Sequence, residues 1–346
     1  MLKLCGFFIS NKIKGKFLDF HKPAIAAEEQ LQLLIERGLQ VQDETRALSF
    51  LKAVSFFRLT PYMRPFQSSR HDHQFNSNAQ FLSLSRLYEF DRKLRLLVID
   101  ALERVEVGVR ANVCNHMGPK YGAHWYLDSS MFTQRYKHNE LLSYIGKKQK
   151  QAEIDYKREC VRIDSLKGAT QLHRENLKQT RRQESYARHY QLTYSKPELM
   201  PNWAMAEELT LGQLSHLYKG LRYDADKKAI ARNLGLPIPL MESWLHTLTV
   251  IRNYCAHHSR LWNRELGIKP ARPKTKNFSW PSYLVGDTLH TRLSVVLAIL
   301  HHQMLELAPH ANWHERLIDL FNRYPEINKN AMGLVENWQN DPFWQS

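Results

Sequence analysis

The stretch AQFLSLSRLYEFDRKLRLLVIDALERVEVGVRANVCNHM, residues 79–117, decides the fold class. Leu84, Leu87, Phe90, Leu94, Leu97, Ile99, Leu102, Val105 and Val109 recur mostly at steps of three and four. That spacing gathers side chains on one face of an α-helix, and nothing interrupts it before Gly118-Pro119. The charges between them, Asp91, Arg92, Arg95, Glu103, Arg104, Glu106 and Arg110, fall mostly in i,i+3 or i,i+4 pairs such as Asp91 with Arg95 and Glu106 with Arg110. This predicts a self-neutralised, exposed face. Glu103, Glu106 and Arg110 carry a second expectation: a carboxylate here orients a histidine or pairs with Arg252 on a neighbouring helix.

Working outward, Pro23 and Gly38 bracket a helix with Ile25, Leu31, Leu34 and Ile35 as its apolar positions. Asp43 then caps a second helix containing Leu48, Leu51, Phe56 and Leu59, which Pro61 and Pro65 end. Residues 68–78 read as a polar loop, whose His71 and His73 lack the further ligands a metal would need. Thr210 and Gln213 are spaced as a capping box, Asp224 caps a helix closing at Gly235, and Pro237 and Pro239 introduce the next. Trp203 and Trp244 read as core aromatics. A strongly apolar helix follows at 289–307, then helices at 313–324 and 331–338, and the adjacent His301 and His302 face different ways, without carboxylate partners for a metal. No period-two alternation is sustained, so the expected fold is all-α. The expected organisation is an N-terminal helical region (1–78), a bundle built from 79–146 and 197–308, an insertion (147–196) and C-terminal helices (309–346).

With 346 residues and 43% hydrophobic content the chain can bury a core. A net charge of +15 implies a polyanionic partner, with nucleic acid the foremost reading. No apolar run approaches the ~20 residues that span a bilayer, so no membrane is expected. The start of the chain has a short apolar patch from Leu4 to Ile9 but lacks the pattern of a secretory signal. Cys5, Cys114, Cys160 and Cys255 have no paired spacing, which argues against zinc and disulfides and for the cytoplasm. Cys255 reads as a packing residue.

The insertion carries thirteen Lys and Arg against six Asp and Glu, with Tyr156, Tyr186, Tyr190 and Tyr194 interspersed. A solvated helical hairpin and an RNA-gripping surface both look like this, and Lys147, Lys148, Lys150, Arg181 and Arg182 are its densest cations. Residues 269–281, rich in proline and lysine, are either a surface connector or a strap touching RNA.

The stretch IRNYCAHHSRLWNR, residues 251–264, carries the chemistry. Cutting RNA without a metal or other cofactor takes a base for the 2′-hydroxyl proton, an acid for the leaving 5′-oxygen, and positive charge on the phosphate. Arg252 offers a permanent fork-shaped cation, and His257 exchanges protons near neutral pH. Asn253 and His257, four apart, share a helix face, with Arg252 on its flank. Asn253 would orient substrate or a partner residue. His258 and Arg260 would support these groups or contact RNA, and Arg264 would contact a phosphate. One copy supplies one or two imidazoles, so a second helix end must complete the acid and base pair. Homodimerisation provides it, or else a second half-site in the same chain, Arg110 with His116.

Arg-Asn-x-x-Ala-His-His-x-Arg-Leu-Trp-Asn-Arg resembles the bacterial abortive-infection (Abi) family of the AbiD/AbiF type, in the HEPN superfamily of metal-independent ribonucleases. Further similar stretches are Lys22-Pro23 with Glu28-Glu29-Gln30-Leu31, Arg37-Gly38-Leu39, Phe56-Phe57-Arg58-Leu59, 88–95 with 100–106, Lys120-Tyr121-Gly122 with Trp125-Tyr126-Leu127, and 203–211. The resemblance implies a HEPN-like helical bundle, an endoribonuclease acting in anti-phage defence and leaving 2′,3′-cyclic phosphate ends, and a structured non-coding RNA as bound partner. The alternative it leaves is a non-cleaving RNA-binding or toxin-neutralising module. A blander reading makes Arg252 and His257 a buried polar staple between helices.

Overall fold

The computed structural model describes residues 23–68, 72–274, 278–286 and 289–345. Lys22, His71, Cys5 and the Leu4 to Ile9 patch lie outside the described residues. The chain forms two compact units, one of residues up to 96 with 317–328, the other of 97–316 with the remainder from 329.

In the first unit, α1 (Ala27–Glu36) closes on Gly38 at φ +87, a left-handed turn that glycine adopts at no steric cost. The Asp43 side chain accepts the Arg46 N–H and starts α2 (Glu44–Val54), as the sequence predicts. The apolar run does not continue through residue 59 as one helix. Ser55, at φ 69, breaks it and caps α3 (Phe56–Met63), and Pro61 lies inside α3 instead of ending it.

Helix α4 (Phe81–Tyr121) is the predicted long helix, extended past Met117 through Pro119 in its last turn, where the proline forfeits one backbone hydrogen bond. Leu84, Phe90, Leu94, Leu102, Val105 and Val109 are buried along it, but Ile99 is 38% exposed. The expected exposed pair Asp91 and Arg95 is buried instead. The Tyr62 hydroxyl donates to Asp91 at 2.5 Å, and Arg95 donates both to Asp91 and, at 3.0 Å, to the Tyr62 oxygen. The i,i+4 pairing is therefore present, but with Tyr62 it seals a polar knot inside the core.

In the second unit, α5 (His138–Asp164), α6 (Gln171–Gln183) and α7 (Tyr186–Thr193) pack on one another. The insertion is thus three helices, the first beginning ahead of residue 147, and α6 buries none of its residues. Then come α8 (Asn202–Glu207), α9 (Leu211–Gly220), α10 (Asp224–Arg232), α11 (Ile238–Ala256) and α12 (Leu293–Leu307), followed by α13 (Trp313–Arg323), whose residues from 317 belong to the first unit. Thr210 and Gln213 form the expected capping box at α9. Helix α12 is apolar almost all round, and that composition suits its place in the core. Trp244, Trp313 and Trp344 are fully buried, and Trp313 donates to the Leu97 carbonyl at 2.8 Å. Trp203, expected in the core, is instead 50% exposed.

Helix α9 is the main neighbour of α11, with α10 and α12 also against it. A Cβ on Gly212 would lie 3.0 Å from Thr249. At the other end Lys227 ties the Lys219 carbonyl to Glu242 at 2.8 and 3.0 Å, so α9 and α11 run antiparallel. Among the described residues there are thirteen α-helices and no strand, and the fold is all-α. Among them, too, no helix is long and apolar enough to cross a membrane.

Candidate functional site

Helix α11 buries Leu240, Met241, Trp244, Leu245, Leu248, Ile251 and Cys255, one apolar stripe that runs into the polar block and ends there. Cys255 is, as expected, a packing residue, 1% exposed. What the stripe does not use faces outward. Arg252 is half-buried, and Asn253, His257 and His258 are exposed.

The helix closes in a defined way. His257 is its C-cap and donates its N–H to the Asn253 carbonyl at 3.0 Å, so these two residues are stacked one turn apart. His258 donates to the Cys255 carbonyl (3.0 Å) and Ser259 to the Tyr254 carbonyl (2.8 Å), the paired bonds of a Schellman motif. The left-handed position of that motif, usually glycine, is held here by His258 at φ 54. A side chain in that conformation stores strain, and such strain concentrates at functional sites.

Beyond the helix, Leu261, Trp262 and Leu266 are buried and pin the following loop. Arg264 lies over the Tyr254 ring at 4.2 Å and donates to the Arg260 carbonyl at 2.6 Å, while Arg260 donates to the Asn263 carbonyl at 3.4 Å. Arg264 therefore clasps the loop to the helix, and its expected phosphate contact would have to be made by a guanidinium already stacked on a ring. Tyr254 is a residue that sequence reasoning passed over. Its signal was an aromatic ten residues ahead of an arginine, visible only once the loop turns back.

Among the described residues the side chains of Arg252, Asn253 and His257 make no hydrogen bond or ion pair. A polar staple would need such partners. The remaining candidates sit elsewhere. Glu103 is exposed, and Glu106 pairs with Arg110 at 2.5 Å. Arg110 also holds the Leu209 carbonyl (2.9 Å) and Glu207 (3.6 Å), so Glu106 is engaged with Arg110 and not with Arg252 or a histidine. Helix α4 is not among the principal neighbours of α11, which is why the expected carboxylate does not reach it.

His116 is not assembled with Arg110 into a half-site. It contacts the fully buried Asp226 at 2.8 Å, together with Lys120 (2.6 Å) and the Tyr121 hydroxyl (2.8 Å). Burial by itself would raise the Asp226 carboxyl, but the hydrogen bonds from Lys120, His116 and Tyr121 outweigh it and hold the group below its ordinary range. This cluster latches α10 to the end of α4. Asp226 was invisible in sequence because its partners lie more than a hundred residues away.

On the insertion, Lys148 pairs with Glu208 (3.5 Å), Lys150 with Glu153 (3.1 Å) and Arg181 with Glu184 (2.5 Å), while Arg182 caps the Leu192 carbonyl at 2.9 Å. Of the five cations singled out, Lys147 is exposed with no partner among the described residues. Ala271, in segment 269–281, bonds Ser243 (2.7 Å) and Trp244 (2.8 Å), which anchors the segment nine residues, or about 14 Å of helix, before Arg252. Among the described residues, no group of three or more His, Cys, Asp or Glu is arranged to hold a metal ion.

No curated protein and no solved structure matches the chain. Residues 49–263, more than half of it, match the family described as Abi-like protein. The match ends one residue short of Arg264 and takes in α11 with its polar end, so the chain belongs to the Abi-like protein family.

Proposed function

We propose that the protein is a metal-independent endoribonuclease of the HEPN type, acting in abortive-infection defence. The observation that carries the reading is that the end of one helix holds both a permanent cation, Arg252, and an imidazole, His257, with neither side chain spent on a structural partner among the described residues. Family membership supports the defence context.

The chemistry follows from the residues. The 2′-hydroxyl of RNA is its own nucleophile. A base removes its proton, the 2′-oxygen attacks the adjacent phosphorus, and the bond to the 5′-oxygen breaks as an acid protonates it. The products are a 2′,3′-cyclic phosphate and a 5′-hydroxyl. Arg252 neutralises the pentacoordinate phosphate, and His257 serves as acid or base. Asn253, one turn before His257, orients the substrate. A second copy of the chain supplies the other imidazole across a homodimer, and a structured non-coding RNA, held by the net positive charge, restrains the enzyme.

The test is labelled RNA in EDTA with the unaltered protein beside His257→Ala. Cleavage should fall by about 10²–10⁴-fold in the variant, the range for loss of a general acid or base, with unchanged circular dichroism. Binding without cleavage by both proteins would make the chain an RNA-binding module, and a variant that fails to fold would make His257 structural.

A further inference from the structure

The start of α5, the residues just before it and the exposed flank of α9 enclose a cavity of about 590 Å³ lined by Arg135, Tyr136, Tyr144, Gln213 and His216, with the Lys137–Glu140 ion pair at its edge. Its chemistry is mixed in a specific way. The Tyr144 ring is fixed by its hydroxyl, which donates to the Glu208 carbonyl at 3.0 Å, and Lys148 sits 5.5 Å from the ring centroid. Tyr136 is stacked on Phe132 at 4.6 Å. The Gln213 carbonyl oxygen is used in the α9 cap, and its NH₂ group has no partner among the described residues. Arg135 and His216 are exposed, and neither side chain has a hydrogen bond or ion pair there.

The position is as informative as the composition. Gln213 and His216 lie on α9, which runs antiparallel to α11 with Gly212 against Thr249. Thr249 precedes His257 by eight residues, about 12 Å along the helix, a few nucleotides of an extended strand. Tyr144 in turn connects the cavity to the basic insertion, because Lys148 lies over its ring.

We propose that this cavity is a single-stranded RNA subsite. Tyr144 offers a ring face for a base, Gln213 a donor to its edge, and Arg135 and His216 hold the phosphate on its flank. The strand then passes over α9 to the bond presented to Arg252 and His257. The acidic edge does not oppose it, because Lys137 neutralises Glu140 at 2.7 Å. This subsite deepens the nuclease reading and rests on it for the strand's destination, but binding can be measured without cleavage.

The experiment uses the full chain carrying His257→Ala and a fluorescein-labelled 2′-O-methyl oligonucleotide of mixed sequence, which has no nucleophilic hydroxyl. Anisotropy is followed over a range of salt. Arg135→Glu should weaken binding by roughly tenfold and reduce the salt slope by about one, as loss of a phosphate contact does. His216→Ala and Tyr144→Leu should each weaken it less, and Arg135→Lys should largely restore it. Both Arg135 and His216 are exposed, so thermal melts should not move. Affinity unchanged in Arg135→Glu, His216→Ala and Tyr144→Leu overturns the subsite, even if the unaltered protein cleaves RNA. Weakened binding in a protein that never cleaves keeps the subsite and removes the nuclease. Equal weakening of a free mononucleotide, with no gain from a longer strand, overturns the strand path.

Discussion

At the scale of single residues, the polar groups of this protein divide into those spent on the fold and those left open. Asp91 and Arg95 are 0% and 4% exposed and share Tyr62, so removing one partner strands a buried charge. Asp91→Ala should destabilise by about 3–5 kcal/mol in urea unfolding, whereas a surface pair at the same spacing contributes under ~1 kcal/mol. A loss of that smaller size would show that the knot is wet. Two histidines of the second unit, the buried His301 and the half-buried His302, belong to the groups spent on the fold. Burial lowers His301 and His302 from near 6.5 to about 4, with His314 lowering His301 further. Between those two pH values the unfolded chain binds protons that the folded chain does not. Stability is therefore full above about 6.5 and lost as pH falls toward about 4, by on the order of a few kcal/mol. Thermal melts between pH 7.5 and 4.5 should show the decline, and His301→Phe should flatten part of it.

At the scale of elements, the end of α11 is shaped by a conflict between local preference and position. A Schellman close wants glycine at its left-handed residue, and the chain places His258 there. His258→Gly should raise the melting temperature, the equivalent of about 1 kcal/mol of relieved strain, while lowering cleavage or RNA affinity. If activity is unaffected, the strain has no functional part. The close approach of Gly212 to Thr249 sets the α9 and α11 packing in the same economical way, by omitting a side chain where two helices meet.

At the scale of the whole molecule, the net charge of +15 is only partly free, since most insertion cations singled out in sequence are satisfied by neighbouring carboxylates or carbonyls. Under the proposed function, RNA attraction depends on the cations without a partner among the described residues, Lys147, Arg135 and Arg252 among them. A composite site also has a concentration signature. Specific RNA cleavage should fall on dilution in parallel with dimer dissociation followed by sedimentation. Constant specific activity in a species that sediments as a monomer would remove the second copy from the chemistry.

Several helices and caps and the polar block were readable in the one-dimensional chain, because each depends on residues within a turn or two of one another: the 81–121 helix, the Asp43 cap, the Thr210 and Gln213 box, and the Asn253 and His257 spacing. The expected Asp224 cap and 331–338 helix, by contrast, did not form. The fates of individual charges were not readable there. Whether Asp91 and Arg95 face water, whether Glu106 reaches Arg252, whether Trp203 is covered, and what His116 holds all depend on which distant helix lies alongside. Burial is a property of that neighbour and not of the residue, so no local pattern encodes it. The same reason hid the cavity between α5 and α9, which exists only where residues far apart in the chain are folded together.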